Sequence, residues 1–184
     1  MKIVFCDRDG VINRDSDQYV KTWEEFEFLS GSLEALAMLK DAGFSLVIVT
    51  NQSILGRGMI APETLSRTHE NMAKAVREAG GGITDIFFCP HKPADGCECR
   101  KPKPGMILSA AKKYGIDPKD AFMIGDSAKD MDAAGRAGIG KTVLVATGNG
   151  LKARAECMEK NIRVDLFCDD LLAAAKWIAS QNGA

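Results

Sequence analysis

The chain has 184 residues, of which 46% are hydrophobic, and its formal net charge is −1. This length and composition suit one compact domain over residues 1–184 with a substantial core. A nearly balanced charge argues against bulk nucleic-acid or membrane-surface binding, and no apolar run approaches the ~20 residues that span a bilayer. Because the chain enters a strand directly, without a signal segment, we expect a cytoplasmic protein.

Apolar runs alternate with helical patterns along the chain. Strands are predicted at residues 3–5, 44–49, 83–89, 121–124 and 142–145. Helices are predicted from an N-cap at Ser32 to before Gly43, from Pro62 to about Ala79, from near Pro104, up to about Ala137, and through residues 171–179. A polar loop is expected over residues 11–30. This alternation predicts an α/β fold, a Rossmann-like parallel sheet with helices on both faces and right-handed crossovers.

Two aspartates, Asp7 and Asp9, follow the first predicted strand and precede Gly10. An acidic turn would also explain the Asp-Gly step. However, ligands of open α/β sheets lie beyond the carboxyl ends of the strands, and carboxylates buried there need a metal or another partner. The pair therefore favours an enzyme.

Polar residues also follow three other strands, namely Thr50 and Asn51, Arg100 and Lys101 after a loop, and Asp126 and Asp130. In a parallel sheet these strand ends lie at one edge, so we expect them to share one pocket. Three carboxylates suit a hard cation such as Mg²⁺, and a hydroxyl, an amide and a lysine suit a phosphoryl group. The pattern predicts metal-assisted phosphoryl transfer.

In their order along the chain, Asp7-Arg8-Asp9-Gly10, Thr50-Asn51-Gln52, the lysine after the loop, and Gly125-Asp126 resemble the four motifs of haloacid dehalogenase superfamily phosphatases. The resemblance covers about residues 3–150 and implies a fold of that type. Neither gap between motifs has room for a separate cap domain.

The resemblance implies a role for each motif residue. Asp7 would be the nucleophile that forms an aspartyl-phosphate, and Asp9 would protonate the leaving alkoxide and then activate water. Thr50 and Lys101 would hold the phosphoryl oxygens. Asp7, Asp126 and the main-chain carbonyl of Asp9 would bind Mg²⁺.

The roles given to Lys101 and Asp130 each have an alternative. Lys101 is favoured over Lys103 because it directly follows an arginine, as in a known subgroup. Asp130 is expected to orient Ser127 or metal-bound water, although an acid in the first turn of a helix is favoured in any case.

The residues expected to contact substrate lie around these motifs: Asn51, Gln52, Ser53, Arg57, Arg100, Asp15 and Tyr19. Guanidinium groups suit phosphate, so Arg57 and Arg100 are candidate clamps for a second phosphate or for sugar hydroxyls. The chain has two histidines. Of these, His69 is expected on a helix surface rather than in catalysis.

Three of the six cysteines and the other histidine lie in one short loop, as Cys89, His91, Cys97 and Cys99. Three thiolates and one imidazole form a ligand set for a closed tetrahedral Zn²⁺ site, although a disulfide or chance would also explain the cluster. A zinc-binding loop at residues 89–99 would have a structural role and hold Arg100 and Lys101 at the pocket.

Within the superfamily, the loop and the flanking motifs resemble D-glycero-D-manno-heptose 1,7-bisphosphate 7-phosphatases, some of which have lysine where this chain has Ser127. The short cysteine loop also resembles that of the histidinol-phosphate phosphatases. The first resemblance implies removal of a sugar 7-phosphate in lipopolysaccharide or other surface-polysaccharide precursor synthesis, and the second implies a step of histidine biosynthesis.

A nucleic-acid 3′-phosphatase would need a basic stripe, which the sequence lacks. A zinc-pinned binding module descended from an enzyme would not need the intact acidic set. We therefore expect a monomer whose partner is a small phosphorylated sugar, not a nucleic acid or a membrane.

Overall fold

The computed structural model describes residues 1–181. In this range six parallel strands form one sheet, in the order β3-β2-β1-β4-β5-β6. The strands are β1 (Lys2–Cys6), β2 (Phe44–Asn51), β3 (Asp85–Cys89), β4 (Phe122–Gly125), β5 (Lys141–Val145) and β6 (Leu166–Cys168). The predicted parallel α/β sheet is confirmed. The predicted domain ends at Ala184, and residues 182–184 lie outside the described residues.

The helices cover the sheet, and all but the last of them connect successive strands. They are α1 (Ser32–Asp41), α2 (Ser53–Gly56), α3 (Pro62–Glu78), α4 (Gly105–Tyr114), α5 (Ala128–Ala137), α6 (Gly150–Glu159) and α7 (Leu171–Ser180). Short 3₁₀ turns occupy Trp23–Glu25, Pro93–Asp95 and Pro118–Asp120.

Strand β1 lies between β2 and β4 and separates two hydrophobic cores. Val4 and Cys6 belong to the core beneath α1, α3 and α7, whereas Ile3 and Phe5 belong to the core beneath α4, α5 and α6. Successive side chains of a strand point to opposite faces, so both sets are buried. The residues that follow β1 are therefore delivered to the middle of the sheet edge.

Three elements were not predicted, namely α2, α6 and β6. β6 has only three residues, and the Asn149 that precedes α6 makes no side-chain cap. Helix α1 also begins differently from the prediction. Gly31, in the left-handed region at φ 75°, is its N-cap, and Ser32 is its first residue. The prediction of Ser32 as the N-cap is wrong. The N-cap position has a positive φ, and glycine, one residue earlier, adopts this conformation without steric cost.

The predicted polar loop at 11–30 contributes to the core. Trp23 stacks on Phe26 with ring centroids 5.1 Å apart, and Phe26 meets Phe28 edge to face at 5.0 Å. Val11 and Ile12 are also buried. The sequence did not predict this packing, because the apolar residues of the loop are not regularly spaced.

None of the helices in the described part of the chain combines the length and apolar composition that a membrane span requires.

Candidate active site

A cleft of about 330 Å³ lies at the carboxyl edge of the sheet. Every residue predicted for the phosphoryl, Mg²⁺ and substrate sites lines it: Asp7, Asp9, Asp15, Tyr19, Thr50, Asn51, Gln52, Ser53, Arg57, Arg100, Lys101 and Asp126. They come from five separate stretches of the chain. Parallel strands bring these stretches together because all of their carboxyl ends lie at one edge.

Three carboxylates share the floor of the cleft. One oxygen each from Asp7, Asp126 and Asp130 lies within 4.8 Å of the others. The Lys101 ammonium is 2.9 Å from Asp7 Oδ1 and also pairs with Asp130. It donates its remaining hydrogen bond to the Val49 carbonyl at 2.7 Å.

One ammonium does not balance three carboxylates, and the pKa values reflect this. Burial and the neighbouring carboxylates raise the pKa of Asp7 well above its usual value, although Lys101 opposes the shift. Burial and the Asp130 charge raise the pKa of Asp126 to about 7, against the Asn149 N–H and Lys101. The cluster therefore has an excess of negative charge that a divalent cation would neutralise.

Asp9, two residues beyond Asp7, has different surroundings. Its Oδ1 accepts from Arg8 Nε at 3.1 Å, Arg8 Nη2 at 2.7 Å and Asn13 Nδ2 at 2.9 Å. Its Oδ2 accepts from Gln52 Nε2 at 2.8 Å. Burial alone would raise the pKa of Asp9, but the Arg8 charge and these hydrogen bonds lower it.

The end of β2 fixes both the hydroxyl and the lysine of the cleft. Gln52 Nε2 donates to Thr50 Oγ1 at 2.9 Å, so the hydroxyl proton of Thr50 is free to donate into the cleft. Asn51 exchanges two 3.1 Å hydrogen bonds with the Lys101 backbone. Asn51 and Gln52 therefore support other site residues, in addition to lining the cleft.

The two lysines flanking Pro102 point in different directions. Lys101 is 3% exposed and enters the cleft. Lys103 pairs with Glu98 at 2.7 Å and donates to the Gly96 carbonyl, on the loop outside the cleft. Only Lys101 is placed to meet a group bound at Asp7.

The rim of the cleft contains the other predicted contacts. The Arg57 guanidinium lies 5.9 Å from the centre of the Tyr19 ring. Arg100 donates to the His91 carbonyl at 3.1 Å, which ties this arginine to the cysteine loop. Asp15 accepts from Asn149 Nδ2 at 3.2 Å.

The cysteine loop forms a tight cluster of four donors. Cys99 Sγ lies 3.2 Å from Cys89 Sγ and 3.4 Å from Cys97 Sγ, and His91 Nδ1 lies 3.3 Å from Cys99 Sγ. All three cysteines are free thiols, so the disulfide alternative is not supported. In a tetrahedral site with Zn–S bonds of about 2.3 Å, ligand atoms are roughly 3.7 Å apart, close to these distances.

Asn149 is a site residue that the sequence reasoning missed. Its backbone N–H donates to Asp126 Oδ2 at 2.8 Å, and the loop before α6 brings Gly148 against the same carboxylate. The signal was available, because Thr147-Gly148-Asn149 follows a predicted strand, as the other site segments do.

His69 and Arg8 were also misjudged. The prediction of His69 on the helix surface is wrong, because it is 7% exposed and its Nε2 lies 3.2 Å from Arg8 Nη1. Arg8, to which no role was assigned, is 1% exposed. The helical pattern of α3 could not show that a buried arginine would meet this histidine.

Known proteins resemble this chain in sequence and in fold. A model of the HAD-hydrolase-like family matches residues 98–174. D-glycero-β-D-manno-heptose-1,7-bisphosphate 7-phosphatase of Bordetella bronchiseptica is 43% identical over 98% of this chain and 99% of its own. The enzyme of that name from Neisseria meningitidis serogroup A is 40% identical over 100% of this chain and 98% of its own.

The chain belongs to this phosphatase family of the haloacid dehalogenase superfamily. A crystal structure of the B. bronchiseptica D,D-heptose 1,7-bisphosphate phosphatase, complexed with magnesium and phosphate, superposes with a TM-score of 0.93. It is 42% identical and covers 98% of this chain and 99% of its own. In the present chain, Ser127 caps α5. Its hydroxyl donates to Asp130 Oδ2 at 2.6 Å and accepts from the Asp130 N–H.

Gly148 provides a test of how closely the cleft is packed. A Cβ at this position would collide with the Asp126 carboxylate, and the residue has φ 56°. Gly148→Ala is expected to abolish most of the phosphatase activity because Asp126 must move. Gly115→Ala is the matched control, because Gly115 has φ 62° with open space around it.

Gly115→Ala should destabilise the fold by about 1–2 kcal/mol, the cost of a left-handed alanine. Gly148→Ala should destabilise it more, because its Cβ also meets Asp126 and the Gly10 backbone. Thermal unfolding and phosphate release measure the two effects separately. Equal losses of activity in the two variants would contradict a specific role for the Gly148–Asp126 contact.

Proposed function

We propose that the protein is a Mg²⁺-dependent phosphatase that removes the 7-phosphate of D-glycero-β-D-manno-heptose 1,7-bisphosphate, in heptose precursor synthesis for lipopolysaccharide or another surface polysaccharide. The observation that carries the proposal is the convergence of Asp7, Asp126 and Asp130 around the buried Lys101 ammonium. The names of the relatives supply the substrate.

The acidic cluster suits Mg²⁺ in charge and in ligand type. It offers carboxylate oxygens within 4.8 Å of one another and carries two more negative charges than Lys101 balances. In our proposal Asp7, Asp126 and the Asp9 main-chain carbonyl hold the ion, and Asp130 positions Lys101 and Ser127. Bound there, Mg²⁺ would keep Asp7 ionised and offset negative charge on the phosphoryl oxygens.

Asp7 and Asp9 divide the chemistry between them. A carboxylate oxygen of Asp7 attacks phosphorus, the bond to the sugar oxygen breaks, and Asp9 gives that oxygen a proton. In the second step Asp9 takes a proton from water, the water oxygen bonds to phosphorus, and the bond to Asp7 breaks. Inorganic phosphate leaves and both carboxylates return to their starting states.

The role of Asp9 requires a proton that its resting environment disfavours, since Arg8 lowers its pKa. The incoming phosphate dianion adds negative charge beside Asp9. That charge raises the pKa of Asp9 towards the range in which it can carry a proton. Substrate binding would therefore prepare the acid that the first step consumes.

Thr50 and Lys101 are placed to hold the phosphoryl oxygens during transfer. Thr50 Oγ1 already accepts from Gln52, so its own proton can point to the phosphate. The Lys101 ammonium is fixed by three acceptors, one of them on Asp7 itself, so it acts on the phosphoryl oxygens through its charge rather than through a free N–H. Preorganised donors of this kind stabilise charge as it develops, without reorganisation during the reaction.

The rim favours a bisphosphate over histidinol phosphate. Three cations, Arg57, Arg100 and Lys129, line the cleft beyond the acidic floor. They outnumber the two aspartates of the same rim, Asp15 and Asp17. A second phosphate would be attracted by these cations, whereas the ammonium group of histidinol phosphate would be repelled. This distribution of charge supports the bisphosphate as substrate.

We also propose a structural zinc ion at Cys89, His91, Cys97 and Cys99. Four protein donors leave no open position for catalysis. The loop supports the cleft through two contacts, since Arg100 donates to the His91 carbonyl and the Gly56 N–H donates to the Pro90 carbonyl at 3.0 Å. We place the enzyme in the cytoplasm, where thiolates stay reduced, and expect a monomeric phosphatase domain.

The first test compares substrates. The purified protein should release phosphate from the heptose bisphosphate with a higher kcat/KM than from histidinol phosphate, and only with Mg²⁺ present. Asp7→Asn should lower kcat by about 10⁴-fold or more, because the nucleophile is lost. Asp41→Asn, at the end of α1, is the control. Unchanged turnover by Asp7→Asn would refute the mechanism, and preference for histidinol phosphate would refute the substrate.

The second test concerns Arg100. Arg100→Ala should raise KM for the bisphosphate roughly 10- to 100-fold, the cost of one charged hydrogen bond, and affect heptose 7-phosphate less. Lys103→Ala removes a nearby cation outside the cleft and serves as the control. Equal effects of Arg100→Ala on both substrates would contradict a contact with the second phosphate.

The third test is metal analysis. The wild-type protein should contain one zinc ion per chain, and Cys97→Ser should lower both the zinc content and kcat/KM. Cys168→Ser, which changes a thiol outside the loop, should alter neither. Full activity in a zinc-free protein would show that the loop does not support the cleft.

A further inference from the structure

Arg8 links the catalytic carboxylate Asp9 to the interior of the protein. Its side chain is 1% exposed. One edge of the guanidinium, Nε and Nη2, donates to Asp9 Oδ1, and the ring of Phe26 lies 5.9 Å from Cζ. The remaining terminal nitrogen, Nη1, points to His69 Nε2 at 3.2 Å. The guanidinium is therefore held from two sides.

His69 is an acceptor in this contact. Arg8 has only N–H donors, so the imidazole Nε2 must offer its lone pair, and the ring proton must lie on Nδ1. Burial and the Arg8 charge lower the pKa of His69 to about 3, so the ring is neutral at physiological pH. The ring also packs near Phe88 of β3, with centroids 5.8 Å apart, which limits its rotation.

The contacts of Asp9 show which oxygen can hold a proton. Oδ1 accepts three hydrogen bonds, from Arg8 and Asn13, and is saturated. Oδ2 accepts one, from Gln52, and retains a free lone pair. Arg8 thus leaves Oδ2 available to carry the proton that Asp9 gives to the leaving group, provided that the guanidinium keeps its orientation.

We propose that His69 is a positioning residue for general acid catalysis, which holds Arg8 edge-on to Asp9 Oδ1 so that Asp9 Oδ2 delivers the proton. The inference rests on the proposed function, in which Asp9 protonates the leaving oxygen. His69 does not touch substrate. It acts through Arg8, from a helix outside the predicted motifs.

The test compares two substrates whose leaving groups differ in their need for a proton. A sugar alkoxide needs a proton as it leaves, whereas nitrophenolate leaves from p-nitrophenyl phosphate as an anion. His69→Phe should lower kcat/KM on the heptose bisphosphate by about 10- to 100-fold, part of the roughly 10²- to 10⁴-fold that general acid catalysis contributes, and change kcat/KM on p-nitrophenyl phosphate far less. The comparison uses kcat/KM because this quantity reports the steps up to departure of the leaving group and not the later hydrolysis, in which Asp9 acts on both substrates.

Two further variants sharpen the result. His69→Gln places an amide oxygen where Nε2 lies and should restore most of the lost activity. Thr68→Val removes a buried hydroxyl of the same helix that donates to the Thr64 carbonyl, and it should alter the rate on neither substrate. The ratio of the two rates does not depend on the fraction of protein that folds.

Equal losses on both substrates, no loss, or a failure of His69→Gln to restore activity would overturn the inference. The wild-type protein could hydrolyse p-nitrophenyl phosphate and an alkyl phosphate other than the heptose bisphosphate, but not the heptose bisphosphate itself. In that case the proposed substrate is wrong. The ratio measured with that alkyl ester then decides the role of His69. A wild-type protein active on no alkyl phosphate would overturn both.

Discussion

The structure depends on one electrostatic arrangement, the sharing of a single buried ammonium by closely spaced carboxylates. Lys101 meets Asp7 and Asp130, while Asp126 forms no ion pair with any residue of the described range 1–181. Burying such charges without compensation is costly, so the fold must hold them in place. It does so with β1 and β4 at the centre of the sheet, and with glycines that let the backbone approach the Asp126 carboxylate.

How far the sequence predicts this site depends on the range of the interaction. The convergence of Asp7, Thr50, Lys101 and Asp126 follows from parallel topology, because strand ends share an edge whatever the packing. Local patterns could not show where His69 points, since its burial depends on Arg8 from another element. Helix α6 and strand β6 escaped for a related reason. β6 has only three residues, and α6 buries only Gly150, Ala153 and Cys157, so neither has a strong apolar pattern and tertiary packing stabilises both.

The cysteine loop illustrates how a site far from the chemistry can matter to it. The loop places Arg100 at the rim, and the chain then reaches Lys101, whose backbone is bonded to Asn51 of β2. Lys101 is therefore located by two supports, the loop on one side and the sheet on the other. A flexible loop of this length would blur the position of the ammonium, and phosphoryl transfer is sensitive to such displacements.

Asp7, Arg8 and Asp9 are consecutive, yet the pKa values of the two aspartates shift in opposite directions. The reason is that their side chains point in different directions. Burial and the neighbouring carboxylates raise the pKa of Asp7. The arginine between the two aspartates lowers the pKa of Asp9, against the effect of burial. Arg8 extends away from the carboxylate cluster to α3, where it contacts a neutral histidine. The Asp-Arg-Asp triplet alone does not set this difference. It arises because α3 offers an acceptor for the Arg8 nitrogen that does not bond to Asp9.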